Sequence, residues 1–120
     1  MGSLLVHIST GIENPTRVAL GLLVARSALG AGHRVDVFLA ADGVAALRPA
    51  TLDAGVGIGT GSLREHVDAL VAGGARLFVS GMSAKARGLG PDDLGGLPVT
   101  FAPPDRLVEL AFEADRVLSY

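Results

Sequence analysis

The 120-residue chain has no cysteine and no tryptophan, and its only aromatics are four Phe and one Tyr. Without cysteine there can be no disulfide, no thiolate metal ligand and no thiol nucleophile. Ten basic against twelve acidic residues give a net charge of -2. With so few rings to stack on bases and no basic stripe, nucleic acid is not an expected partner. Every apolar run falls well short of the ~20 residues a membrane-spanning helix needs. The mean hydropathy of +0.48 therefore points to burial in a core. No basic region followed by an apolar stretch and a small-residue cleavage site opens the chain, so the expected location is cytoplasmic. Met1-Gly2-Ser3 is no myristoylation signal either, because Val6 stands where a hydroxyl residue is required.

What the chain does have is apolar residues, at 49%, enough for one domain over residues 1–120 that buries roughly two-thirds of its unfolded surface. Leu4-Leu5-Val6-His7-Ile8 is a continuous apolar run, the pattern of a strand covered on both faces. Asn14 can cap, and Pro15 open, a helix that runs to about Leu29 and ends at Gly30 and Gly32. Val18, Leu22, Ala25 and Leu29 share one side of it, yet Leu20, Leu23 and Val24 occupy others. A helix apolar most of the way round needs burial most of the way round, which predicts a homo-oligomer.

Strand two is His33 to Leu39, and Asp42 is expected to cap a short helix from Gly43 to Leu47 that Pro49 stops. From Pro49 to Gly61 no period holds, so a loop is expected, either functional or mobile. Its Gly55-Val56-Gly57-Ile58-Gly59-Thr60-Gly61 lacks the third glycine of a dinucleotide fingerprint and does not directly follow a strand, so it reads as a flexible connector. Ser62 with Glu65 is a capping box for a helix whose stripe is Leu63, Val67, Leu70 and Val71. Strand three is Ala75 to Val79, a helical turn spans about Met82 to Arg87, and Leu97 to Phe101 is strand four. Pro103-Pro104-Asp105 starts a helix with Leu107, Val108, Leu110 and Ala111 inward and Arg106, Glu109 and Glu113 outward. Arg116 to Tyr120 is strand five.

Strands alternating with helices define a three-layer α/β fold with a mostly parallel five-stranded sheet and helices on both faces. The flavodoxin-like order 2-1-3-4-5 is expected, which would set the loop Ser9 to Asn14 against the loop Ser80 to Ser83 at the switch point.

Gly11-Ile12-Glu13-Asn14-Pro15, then Ala31-Gly32-His33 leading to Val37-Phe38-Leu39 and Asp42-Gly43-Val44, then Ala84-Lys85-Ala86-Arg87-Gly88, resemble the DsrE/DsrF-like family with its TusD and YchN types. The match runs in order over nearly the whole chain. The resemblance implies a small α/β protein assembled as a trimer or hexamer. It also implies a relation to sulfur relays, in which several members carry a persulfide on a cysteine after strand three. That position falls on Ser80 here, and a second cysteine of some relatives falls on Ser83. A serine hydroxyl is neither ionised near neutral pH nor able to hold sulfane sulfur, so this chain cannot itself be a covalent sulfur carrier.

The candidate ligand-binding residues are those of the loops at the carboxyl ends of the strands: Thr10, Gly11, Glu13, Asn14, Asp42, Gly43, Ser80, Gly81, Met82, Ser83 and Arg87. No cofactor is expected. The three histidines lie in separate elements and give no metal-ligand spacing. His7 is the only one near the expected crevice, His33 enters strand two from the opposite end, and His66 is read as a helix-surface residue. Ser80 and Ser83 are read as helix caps, Arg87 as a helix-end cation, and Glu13 and Asp42 as a solvated charge and a cap. Two readings of different class stay open. One is a non-catalytic oligomer that binds a small ligand or serves a related cysteine-bearing subunit. The other is a flavodoxin-like binder of flavin or nucleotide, suggested by Ser9-Thr10-Gly11 with Thr16. An enzyme using Ser80 is a third, for which no substrate follows from the sequence.

Overall fold

Strand two becomes the centre of the sheet because five of its six residues are buried, as a strand flanked on both edges and covered on both faces requires. The computed structural model describes residues 1–120. Its elements are β1 (Ser3–Ile8), α1 (Pro15–Gly30), β2 (Arg34–Leu39), α2 (Pro49–Ala54), β3 (Val56–Gly57), β4 (Gly61–Ser62), α3 (Leu63–Ala72), β5 (Arg76–Ser80), α4 (Gly81–Ala86), β6 (Val99–Ala102), α5 (Pro104–Glu113) and β7 (Arg116–Ser119). Short 3-10 turns lie at Ala41–Leu47 and Pro91–Leu94. The main sheet runs β6-β5-β2-β1-β7 with every neighbour parallel. The α/β class, the five strands and the layering are as the sequence indicates. No helix is long and apolar enough to cross a membrane.

The strand order is not the flavodoxin-like one. Counting only the five long strands, it is 4-3-2-1-5, so β2 separates β1 from β5. The expected direct meeting of the segment after β1 with the segment after β5 is replaced by a row of three, with the turn after β2 in the middle.

Register sorts the side chains. Val6, Val37, Leu77 and Val99 form one row and Ile8, Leu39, Val79 and Phe101 the next, on the face covered by α1 and α3, where the larger core lies. On the other face, His7, Phe38, Phe78 and Thr100 form a row, and the smaller core of Leu5, Phe38, Phe78, Ala102 and Leu110 is roofed by α5.

Three expectations about local structure are corrected. Residues 49–61 are not a connector: α2 and the β3/β4 hairpin occupy them. The hairpin lies on α1, where the Ile58 N–H donates to Thr16 Oγ1 and Thr60 Oγ1 donates to the Thr16 carbonyl. Gly57 is needed there, since a Cβ would run into Thr60 and Ala19. The hairpin and α3 together explain why α1 is apolar on several sides: Val18, Ala19, Gly21, Leu22 and Ala25 are buried within one chain, leaving Leu20 as the large apolar residue of α1 that is exposed. In α5 only Leu110 is fully buried, and Val108, read as inward, is exposed. On the helices, the large apolar side chains left exposed are Leu20 of α1, Met82 of α4, and Val108 and Phe112 of α5.

His66 is also corrected. It is buried, with Nε2 donating to the Thr60 carbonyl at 2.7 Å and Nδ1 facing Arg26 at 3.4 Å. A carbonyl only accepts, so the proton sits on Nε2 and the ring is a staple between α3 and the hairpin.

Candidate functional site

At their carboxyl ends β1 passes into a loop, β2 into the 3-10 turn Ala41–Leu47 and β5 directly into α4, and the three segments touch in order. Gly11 lies so close to Asp42 that a Cβ there would clash with the Asp42 carbonyl, and a Cβ on Gly43 would stand 2.5 Å from the Ile8 carbonyl. Two of the candidate glycines therefore serve the approach of backbone to backbone. On the far side, Ser83 Oγ accepts from the Ala41 N–H at 2.8 Å. Ala41 has φ of 50°, a left-handed conformation unusual without glycine, and that hydrogen bond holds it.

Most of the remaining candidates are likewise engaged. Asn14 Oδ1 accepts from the Arg17 N–H and caps α1. Glu13 Oε1 accepts from the Gly11 N–H at 2.7 Å. Ser80, 8% exposed, caps α4 by accepting from the Ser83 N–H at 3.2 Å. Ser83 faces the Ala41 loop instead of acting as a cap of α4. Asp42 makes no side-chain cap; the turn begins at Ala40 without one, and Asp42 accepts from Arg87 Nη2 at 2.8 Å. Arg87 also donates to the Ser83 carbonyl at 3.1 Å, so it ties α4 to the loop after β2. Met82 is exposed at the start of α4, Gly81 partly covered beside it, and Thr10 partly buried in the first loop.

Ser80 and His7 share the α5 face of the sheet, but β2 runs between their strands, which separates them by two strand spacings, roughly 10 Å. No base is within hydrogen-bond reach of Ser80. His7 lies edge-on to Phe38, its Nε2 is buried without a partner, and burial lowers its pKa from the ordinary value of 6.5. His33 stands at the amino ends of the strands, where Nδ1 accepts from the Gly2 N–H. No three His, Asp or Glu side chains converge to hold a metal ion.

Two features escaped sequence reasoning. Asp36 and Arg76 are register partners on the α5 face, joined by a bidentate pair at 2.7 and 2.8 Å. The Asp36 hydrogen bond raises the Arg76 pKa, its attraction adding to the shift and burial opposing it. Arg76 and Arg106 both stack on Phe78, at 5.5 and 5.6 Å from the ring centre. An aspartate inside an apolar strand, with an arginine at the matching point of the next long strand in sequence, was the available signal. The second feature is Phe112, 87% exposed one turn after exposed Val108.

A five-stranded all-parallel sheet with helices on both faces, its candidate residues gathered at the strands' carboxyl ends, defines a small three-layer α/β protein. The model of the DsrE/DsrF-like family matches residues 2–120, and the chain belongs to that family. None of the curated proteins compared matches it. Among solved structures, the ychN protein from E. coli superposes with a TM-score of 0.83 at 17% identity, covering 100% of both chains. A protein of unknown function, MTH1491 from Methanobacterium thermoautotrophicum, gives 0.72 at 22% identity and the same 100% coverage of both. A conserved protein of unknown function, BT1422 from Bacteroides thetaiotaomicron, gives 0.71 at 13% identity, covering 99% of this chain and 95% of its own. At these identities the likeness is one of fold.

Proposed function

We propose that the protein is a non-catalytic, cytoplasmic, homo-oligomeric member of its family, a trimer or hexamer. It acts as a partner subunit for a related cysteine-bearing chain or as a small-ligand binder, and it does not carry persulfide sulfur itself. The observation that carries this reading is that the polar side chains of the carboxyl-end rim are spent on holding the loops together. Ser80 caps a helix, Ser83 holds Ala41, and Arg87 pairs with Asp42. A nucleophile would need a neighbouring base held by a third group, and a sulfur carrier would need a thiolate, which a chain without cysteine cannot supply. Exposed Val108 and Phe112 support assembly, because large apolar side chains side by side on a helix surface mark a contact site.

Native mass spectrometry of the purified protein, followed by the same sample denatured, tests this. The expected result is a bare trimer or hexamer. A monomer overturns the assembly, and a complex retaining flavin or nucleotide overturns the functional reading.

A further inference from the structure

Val108 and Phe112, four residues apart on α5, stand opposite the buried Leu110 and so project away from the sheet. Asp105 and Glu109 share that outer side of the helix, and neither takes part in an ion pair. The surface is therefore an apolar projection flanked by two free carboxylates.

On the opposite face of the sheet, a depression of about 550 Å³ opens between the first turns of α1 and the end of β7. Its lining is mostly polar, with Ser9, Asn14, Thr16, Arg17 and Ser119 around Leu20 and Tyr120. Leu20 is 39% exposed, and Leu118, on the same sheet face as Tyr120, is exposed nearby. Arg17 is exposed and has no ion-pair partner. Leu20 and the Tyr120 ring give this surface a small apolar spot, and a free guanidinium stands at its rim. It matches the α5 surface in both respects: a hollow for a phenyl group, and a cation for the carboxylates beside it.

Within one chain the two surfaces lie on different faces of the sheet and cannot meet. The geometry points to a head-to-tail contact between copies of this chain, in which Phe112 of one copy enters the Leu20–Tyr120 depression of the next and Glu109 or Asp105 meets Arg17. A contact between two different patches is heterologous, and it closes into a ring when the rotation between copies divides a full turn. This inference rests on the proposed homo-oligomer and specifies the surface that builds it.

The test is the mass of the assembly by light scattering and native mass spectrometry, with urea unfolding to show that each variant folds. Phe112→Asp is expected to be monomeric at concentrations where the natural chain is assembled, and Leu20→Glu likewise. Mixed in equal amounts, the two are expected to give a dimer, because intact Phe112 of the Leu20→Glu chain can still enter the intact depression of the Phe112→Asp chain. A contact between identical patches would leave the mixture monomeric, which would overturn the inference. Arg17→Glu is expected to weaken assembly, and adding Glu109→Arg in the same chain to restore it; failure of that rescue by both Glu109→Arg and Asp105→Arg also counts against it. A natural chain that is itself monomeric overturns the proposed oligomer. An assembled natural chain whose Phe112→Asp variant stays assembled overturns only the interface assigned here.

Discussion

Cutting the Asp36–Arg76 pair from either side should give unequal costs, because the two partners differ in their access to water. The Asp36 side chain is 9% exposed and that of Arg76 47%. Arg76→Ala leaves a carboxylate under α5 with no cation. Breaking a buried pair from one side costs about 3–5 kcal/mol, and the water that reaches the vacated arginine position reduces this to roughly 2–3 kcal/mol. Losing the guanidinium that stacks on Phe78 adds about 0.5 kcal/mol. Asp36→Asn keeps the volume and one acceptor oxygen, and it leaves behind an arginine that can turn into solvent, so the expected cost is about 1 kcal/mol. At roughly 4 °C per kcal/mol for a domain of this size, Arg76→Ala should lower Tm by about 10 °C and Asp36→Asn by about 4 °C. Urea unfolding of both single variants and the double variant reads the order and the coupling directly. Equal costs, or a larger cost for Asp36→Asn, would refute the claim that burial of the carboxylate governs this pair.

Ser80→Ala removes the cap of α4 and is expected to cost about 1 kcal/mol, measured by chemical unfolding, with the oligomer mass unchanged. Gly11→Ala forces the first loop away from the Asp42 carbonyl and should cost about 1–3 kcal/mol; a neutral result would mean that the loops part freely. Burial lowers the His7 pKa below 6.5, so the fold favours the neutral ring. Stability is full above the unfolded value, falls as pH drops below about 6.5, and levels off once the folded value is passed. His7→Gln should flatten that part of a stability-against-pH curve, and an unchanged slope would assign it to another group.

Local pattern carried most of the strand and helix reading because each cue acts within a few residues. Continuous apolar runs marked the parallel strands. Asn14 before Pro15 and Ser62 before Glu65 marked helix starts that their side chains do cap. Where the reading failed, the cause was non-local. Residues 49–61 looked structureless because their partner is α1, more than thirty residues earlier, and no period within the segment records that contact. His66 looked exposed for the same reason, since what buries it is the hairpin before it and Arg26 of α1.

The candidate residues of the rim were legible as a set, because strand ends followed by small and polar residues are visible in the sequence. Their roles were not. Asp42 resembles a cap until α4 brings Arg87 to it, and Ser83 resembles a cap until the loop after β2 brings it the Ala41 N–H.

The sequence by itself determined the α/β class, the five strands and the impossibility of thiol chemistry, since composition and short-range periodicity suffice for those. Only the tertiary structure decided the strand order, the pairing of Asp36 with Arg76, and which apolar side chains remain exposed. Burial is a property of neighbours brought together from distant parts of the chain: α1 finds the hairpin and α3 to cover its extra apolar sides, while α5, with the sheet on one side alone, leaves Val108 and Phe112 in solvent.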